Sequence, residues 1–420
     1  MSSTLSDQTV SDPTPPAPSL PAPARPDQHW LPDSARRGLF ETPFGLYIHI
    51  PFCASRCGYC DFNTYTASEL GPGANQNDYV DSVLAELRLV RLVLGSELPT
   101  VRTIFFGGGT PTLLPAEHLA AMLDEIRGEF PVAPDVEISV EANPESVTRA
   151  SFARLARAGV NRVSLGMQSA VPHVLTVLDR QHTPGQALLA AEDARAAGIA
   201  RVSLDLIYGT PGESDEDWQT SLDSAMSAGV EHLSAYALIV EPGTALARRV
   251  ASGQIAAPDD DVLADRYEQA DQTLSNAGLR WYEVSNWATS PTGQCRHNEL
   301  YWTGGNWWGI GPGAHSHVGG ARWWNRKHPA AYARALSEGG TPAQGSELLD
   351  GRARRIETIM LGIRLRAGVA LEVLSVRGQQ RAGEAVTYGL LDRGAYTDGR
   401  AALTLRGRLL ADAVVRDLTD

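Results

Sequence analysis

Cys53, Cys57 and Cys60 crowd into eight residues of a 420-residue chain that holds four cysteines in all. Their spacing is CxxxCxxC, within Ile50-Pro51-Phe52-Cys53-Ala54-Ser55-Arg56-Cys57-Gly58-Tyr59-Cys60. It lets one short loop turn three thiolates toward three irons of a [4Fe-4S] cubane and leaves the fourth iron without a protein ligand. A vacant iron corner chelates the amino and carboxylate groups of S-adenosylmethionine (SAM) and passes an electron to its sulfonium, releasing a 5′-deoxyadenosyl radical. Two blander readings compete: structural zinc completed by His49, or cysteines that are simply buried. Zinc sites usually supply a second CxxC or HxxxH pair, and none follows here. So few cysteines in so long a chain do not make a disulfide scaffold, which points to a reducing compartment.

Further candidates recur along the chain. Gly107-Gly108-Gly109-Thr110-Pro111-Thr112 permits backbone N–H and C=O groups to approach a ligand closely, because glycine has no Cβ. A phosphate loop is a poor match, since the Gly-Lys-Ser/Thr ending and the GxGxxG spacing are both missing. Glu141, Gln168 and Asp205 each close an apolar run, and Arg180 adds a cation in the turn Asp179-Arg180-Gln181-His182. Taken singly, each would pass for a helix cap or a surface residue; recurring at successive run ends, they suggest a common site. Cys295-Arg296-His297-Asn298-Glu299-Leu300-Tyr301-Trp302 offers an imidazole suited to heme iron and flat aromatic surface suited to a porphyrin. The alternative is a histidine satisfied in the core, and Cys295 and Tyr301 are competing ligands.

These groups need elements to position them. Short β-branched runs at 46–50, 103–106, 136–140, 162–165, 202–207 and 232–239 alternate with amphipathic stretches such as those at 78–94, 115–130, 151–158, 184–197 and 215–228. Six β-α pairs in series predict a parallel sheet with right-handed crossovers, either a partial (β/α)6 barrel or a doubly wound sheet. Ligands then belong at the C-terminal strand ends. Residues 1–40, rich in proline, read as a disordered tail, and 41–255 as the core. Residues 256–345 form an aromatic-rich extension carrying the candidate heme site, since seven of the nine tryptophans lie from Trp281 to Trp324. Residues 346–420 read as a small C-terminal α+β appendage with a hairpin-like stretch at 396–405.

A formal charge of -13 argues against nucleic acid as a partner. The N-terminus lacks a signal-peptide apolar region, and no run is long enough to cross a bilayer. The expected location is the cytoplasm.

Tyr47-Ile48-His49-Ile50-Pro51-Phe52-Cys53 through Cys60, followed by Gly107–Thr112, resembles the radical SAM family of oxygen-independent coproporphyrinogen III oxidases and their HemW relatives over about residues 44–415. The resemblance implies an α/β fold, a partial (β/α)6 radical SAM barrel with the small C-terminal appendage. It implies that Tyr47, Gly108, Gly109, Thr110, Glu141, Gln168, Arg180 and Asp205 line SAM, with Tyr59 near the adenine. Two features favour the HemW branch. The oxidases place a fourth cysteine two residues after the third, where this chain has Phe62, and no oxidase-like Arg-Tyr-Thr-Ser-Tyr-Pro stretch precedes the cluster loop. His297 to Trp302 holds the HNxxYW pattern associated with heme binding in that branch. The implied activity is heme carriage to respiratory membrane proteins, with a reductant protein as electron donor, a homodimer as an option, and a peripheral position at the membrane. SAM cleavage is compatible with this, whereas coproporphyrinogen oxidase activity is not expected. Radical decarboxylation of coproporphyrinogen III is the alternative.

Overall fold

The computed structural model describes residues 30–70 and 75–419. Six strands follow one another through the first half: β1 (Phe44–Ile50), β2 (Val101–Gly108), β3 (Val132–Ala142), β4 (Arg162–Gln168), β5 (Arg201–Tyr208) and β6 (His232–Ala237). All five neighbouring pairs are parallel. Strands β1 and β2 are rich in β-branched and aromatic residues, and β1, β4 and β5 are buried on both faces, as a parallel sheet covered by helices requires. The crossover helices Gln76–Leu94, Ala116–Glu129, Arg149–Ala158, Gln186–Ala196 and Asp215–Ser227 match the amphipathic periods. Their starts are chemically marked. The Asn75 side chain accepts the Asp78 N–H at 2.9 Å, and Thr148 and Ser214 form reciprocal capping boxes.

The sheet does not stop at β6. Strands β7 (Arg280–Glu283), β8 (Asn286–Ala288), β9 (Asn306–Ile310), β10 (His315–Val318), β11 (Ala321–Asn325) and β12 (Ala343–Leu348) extend it on both sides. The order is β12-β11-β10-β9-β1-β2-β3-β4-β5-β6-β8-β7, with margins at β12 and β7, so the barrel is open. Its curl is visible in the contacts of one segment. Thr103 on β2 meets His297, Glu137 on β3 meets Cys295 and His297, and Arg162 on β4 reaches the Gly293 carbonyl. Strands about 4.8 Å apart in a flat sheet would not converge on five residues in this way.

Three expectations are corrected. Residues 30–40 are not a tail. Trp30 and Leu31 are buried, Asp33–Gly38 is a helix, and Arg36 donates to the Val93 carbonyl at 2.8 Å. The apolar Trp30, Leu31 and Leu39 supply the burial that the proline-rich composition obscures, and the rest of the expected tail, 1–29, lies outside the described residues. No break in the sheet occurs at 255/256, because the aromatic strands continue the same sheet and Trp30, Trp308 and Trp323 pack together in its core. The stretch 396–405 is not a hairpin. It spans the end of a helix (Arg393–Thr397), strand β14 (Arg400–Ala401), which pairs with the distant β13 (Val369–Ala370), and the start of the helix Leu405–Leu409. Asp392 caps the first helix through the Ala395 N–H at 2.8 Å, and Gly399 at φ +79° turns the chain out of it.

The last unit has its own core, from Ile359 to Leu418. It also covers the β7 margin, where Arg366 N–H donates to the Tyr282 carbonyl at 2.7 Å and Val284 N–H to the Arg364 carbonyl at 3.2 Å. No helix among the described residues is long and apolar enough to cross a membrane.

Candidate functional site

The cysteine loop leaves the C-terminal end of β1 and is closed at its base by main-chain bonds, Cys53 N–H to Tyr65 O at 3.0 Å and Tyr65 N–H to Pro51 O at 2.7 Å. Within it, Cys60 N–H donates to Cys57 O at 3.2 Å. Gly58 is held from both sides: its N–H donates to Leu178 O at 3.4 Å and its carbonyl accepts from Leu246 N–H at 2.7 Å. Tyr59 packs on the small apolar cluster of Val171, Val174, Leu178, Ile207, Leu238 and Leu246. A loop anchored this firmly keeps three half-buried free thiols in place without a disulfide.

A cubane asks for thiolates that face separate iron corners, and three cysteines on one short loop supply three of them. The zinc alternative loses its fourth donor, because His49 Nε2 is bonded to Asn63 O at 2.9 Å and Nδ1 to the Tyr47 hydroxyl at 3.0 Å. Burial pushes the Cys53 and Cys60 thiols up, and the Thr64 hydroxyl facing both opposes it. Arg180 points a guanidinium N–H at Cys57 Sγ, 3.3 Å away. Cys295 stands apart in the core, pushed up to about 12 by burial and by Glu137, and is a thiol at neutral pH.

Around this loop the other strand ends close into one network. Gly109 N–H donates to Ile50 O at 2.8 Å and Thr110 N–H to Phe52 O at 2.7 Å, so the glycine loop lies along the chain that leads into Cys53. Gly108 adopts φ +114°, a conformation that suits glycine, and donates its N–H to Glu141 at 3.1 Å. Arg180 also donates to Asn143 Oδ1 at 2.8 Å, and Asn143 Nδ2 donates to Thr110 Oγ1 at 3.0 Å. Arg180 Nε is buried without a partner, a donor left over for a ligand. Gln168 is buried at φ 61°, at the end of β4.

Deeper in the curl, Tyr47, Glu141 and Asp205 face each other. Burial and the repulsion of Asp205 push the Glu141 carboxyl up to about 7. Burial raises Asp205 as well, opposed by hydrogen bonds from Ser164 at 2.7 and 2.9 Å. Burial and Glu141 hold the Tyr47 phenol far above its ordinary value. Two carboxyl groups and an un-ionised phenol accept and donate hydrogen bonds to a ribose diol or an ammonium group.

The structure thus brings together the three cysteines, Tyr59, Gly108, Gly109, Thr110 and Arg180 at the rim, and Tyr47, Glu141 and Asp205 below it. His297, the candidate heme ligand on sequence, stands elsewhere. It is 1% exposed on the helix Arg296–Trp302, which crosses the N-terminal end of the strands. Its Nδ1 is bonded to the Thr103 hydroxyl and its Nε2 to the Tyr301 hydroxyl, both at 2.8 Å, and its ring stacks on Phe105 at 5.0 Å. Burial alone pushes the imidazole down to about 3. Asn298 and Trp302 face the buried Glu283 carboxyl and partly offset the upward push of burial on it, so this end of the motif lies in the barrel floor. Sequence reasoning missed Asn143, Thr64 and Ser164. Asn143 had a signal, because it lies two residues after Glu141 and strand side chains share a face at period two.

Residues 47–225 match the Radical SAM superfamily. The chain is 55% identical to heme chaperone HemW of Mycobacterium tuberculosis (strain ATCC 25618 / H37Rv) over 376 residues, which is 90% of this chain and 95% of that one. It is 33% identical to heme chaperone HemW of Bacillus subtilis (strain 168), covering 88% of this chain and 97% of that one. Among solved structures, coproporphyrinogen III oxidase (HemN) from Escherichia coli aligns over 92% of both chains with a TM-score of 0.78, and at 20% identity this likeness speaks for the fold alone. A radical SAM protein employs a [4Fe-4S] cluster and SAM, and the three-thiol loop with its glycine and carboxylate surround has the donors for both. On sequence, on fold and on the architecture of the cysteine loop, this chain belongs to the HemW family of radical SAM proteins.

Proposed function

We propose that the protein is a heme chaperone: it holds a [4Fe-4S] cluster through Cys53, Cys57 and Cys60, binds SAM above Glu141 and Asp205, and passes heme to heme-accepting respiratory proteins at the membrane. The observation that carries this reading is 55% identity to a heme chaperone sustained over 90% of the chain. Phe62 supports it. This side chain occupies the position where the oxidases place their fourth cysteine and is 61% exposed, so nothing there ligates iron.

On this reading each residue has a defined task. Gly108, Gly109 and Thr110 present main chain to the aminoacyl end of SAM, and Tyr59 meets the adenine. Tyr47, Glu141, Gln168, Arg180 and Asp205 orient the remainder, with Arg180 also steadying the Cys57 sulfur. A bound cluster with an open iron supplies one-electron reduction of the sulfonium, with a reductant protein as the electron source. Heme transfer leaves the porphyrin intact and needs no decarboxylation.

The test assays anaerobically reconstituted protein with coproporphyrinogen III and, separately, with hemin. The expected outcome is no conversion of the porphyrinogen and a Soret band that saturates at one heme per chain. Sustained decarboxylation of the porphyrinogen would replace this reading with the oxidase.

A further inference from the structure

A cavity of about 1130 Å³ opens at the other end of the strands from the cysteine loop. One wall is the outer face of the helix Arg296–Trp302, whose inner face closes the barrel floor with His297. The opposing walls are the segment leading into β1, the start of β2 and Leu365–Ala367 of the C-terminal unit. Its volume exceeds the roughly 300–1,000 Å³ usual for small-molecule sites and suits a macrocycle more than a metabolite. Phe40, Phe44, Leu300 and Leu365 provide apolar wall, and Phe40 is 55% exposed there. Three guanidinium groups, Arg102, Arg296 and Arg366, face the same space in a chain of net charge -13. Arg102 and Arg296 share the single carboxylate of Asp135, at 3.9 and 2.9 Å, while Arg366 has no ion-pair partner among the described residues. With the lining acids Glu41 and Glu299 and the Asp135 carboxylate that pairs two of these arginines, charges balance at three against three, and Arg366 is the guanidinium left over for an incoming carboxylate. No imidazole, free thiol or thioether lines it. The Tyr282 hydroxyl is already bonded to His232 at 2.8 Å and to Cys295 N–H at 3.2 Å.

We propose that this cleft is the seat of a porphyrin, held by its flat faces against Phe40 and Leu300 and by its carboxylates on Arg366 and Arg102, with no bond from the protein to the iron. The proposal rests on the heme-chaperone reading and adds the place and mode of binding. Recognition by rim carboxylates and apolar faces leaves both axial positions of the iron available to a recipient's ligand. It also puts porphyrin and SAM on opposite sides of one helix. Arginine suits the task because its planar fork pairs with carboxylates in two parallel hydrogen bonds.

The test titrates full-length reconstituted protein with hemin and with iron-free protoporphyrin IX, following tryptophan quenching. Protoporphyrin IX is expected to bind within about threefold of hemin, because the iron makes no bond. Arg366→Glu and Phe40→Asp, both surface substitutions, are each expected to weaken the two ligands at least tenfold, whereas Arg334→Glu on a distant exposed helix leaves both unchanged. Binding of hemin alone, or hemin affinity unmoved by Arg366→Glu and Phe40→Asp together, overturns the site while the chaperone reading stands. Failure of the unaltered protein to bind hemin at all overturns the chaperone reading, and this site with it.

Discussion

Gly109→Ala isolates the contact on which the cluster loop depends. Gly109 lies outside the left-handed region, so alanine meets no backbone penalty and only crowding is tested. A Cβ there would stand 2.4 Å from Phe52 O, 2.9 Å from Phe52 C and 3.0 Å from Cys53 Sγ. Carbon and oxygen rest about 3.3–3.6 Å apart, so the strands must part by roughly 1 Å. That displacement stretches the Gly109-to-Ile50 and Thr110-to-Phe52 hydrogen bonds, now 2.8 and 2.7 Å. Overpacking costs about 1–3 kcal/mol and the two weakened bonds up to about 1 kcal/mol each, so a loss of about 1–5 kcal/mol is expected. The control is Gly128→Ala, in the helix Ala116–Glu129 with nothing within 4 Å of the added carbon. It should stabilise by about 0.5–1 kcal/mol. Denaturant unfolding measures both changes, and iron per chain after anaerobic loading measures the loop. Gly109→Ala is expected to unfold earlier and retain less iron, because the displaced atom beside it is the Cys53 sulfur. Wild-type stability and full iron content in Gly109→Ala would refute the reasoning.

Two further outcomes are expected. Trp30→Ala should cost about 3–5 kcal/mol in denaturant unfolding, since the ring is 6% exposed and meets Trp323 edge-on at 4.9 Å; a cost under about 1 kcal/mol would return residues 30–40 to the tail. His297, pushed down to about 3, contributes stability that is whole above its unfolded value of 6.5 and is lost as pH falls toward 3. By pH 5 the loss is about 2 kcal/mol, so His297→Gln should lose that much less than wild type between pH 7.5 and pH 5; parallel pH profiles would count against a buried neutral imidazole. Glu86, pushed up to about 7, carries the opposite sign and loses stability as pH rises, which is why the variant difference and not the whole curve is the measurement.

The first half of the fold was legible because its signals are local. The alternation of β-branched runs with 3.6-period helices shows in any window, and the rule that ligands gather at C-terminal strand ends led to Thr110, Glu141 and Asp205. The second half was not. Strands β7 to β12 are three to six residues long and join the first six strands only where β9 meets β1 and β8 meets β6, so their tryptophans read as a ligand surface when they are largely sheet core. The burial of His297 depends on Thr103, 194 residues distant, which no pattern around HNxxYW reveals. Trp30 was masked in the same way, since composition describes a segment's average and burial depends on a single ring finding its pocket.

The bonds from Arg366 and to Arg364 along β7 occupy main-chain groups that would otherwise stand unpaired at the end of a twelve-stranded sheet. A bare row of this kind is a template on which any extended polypeptide can add itself, including another copy of the same chain. The C-terminal unit therefore has a duty separate from any ligand: it stops the sheet from growing at its β7 margin. A chain shortened to end near residue 350 would keep the cysteine loop and yet accumulate as aggregates.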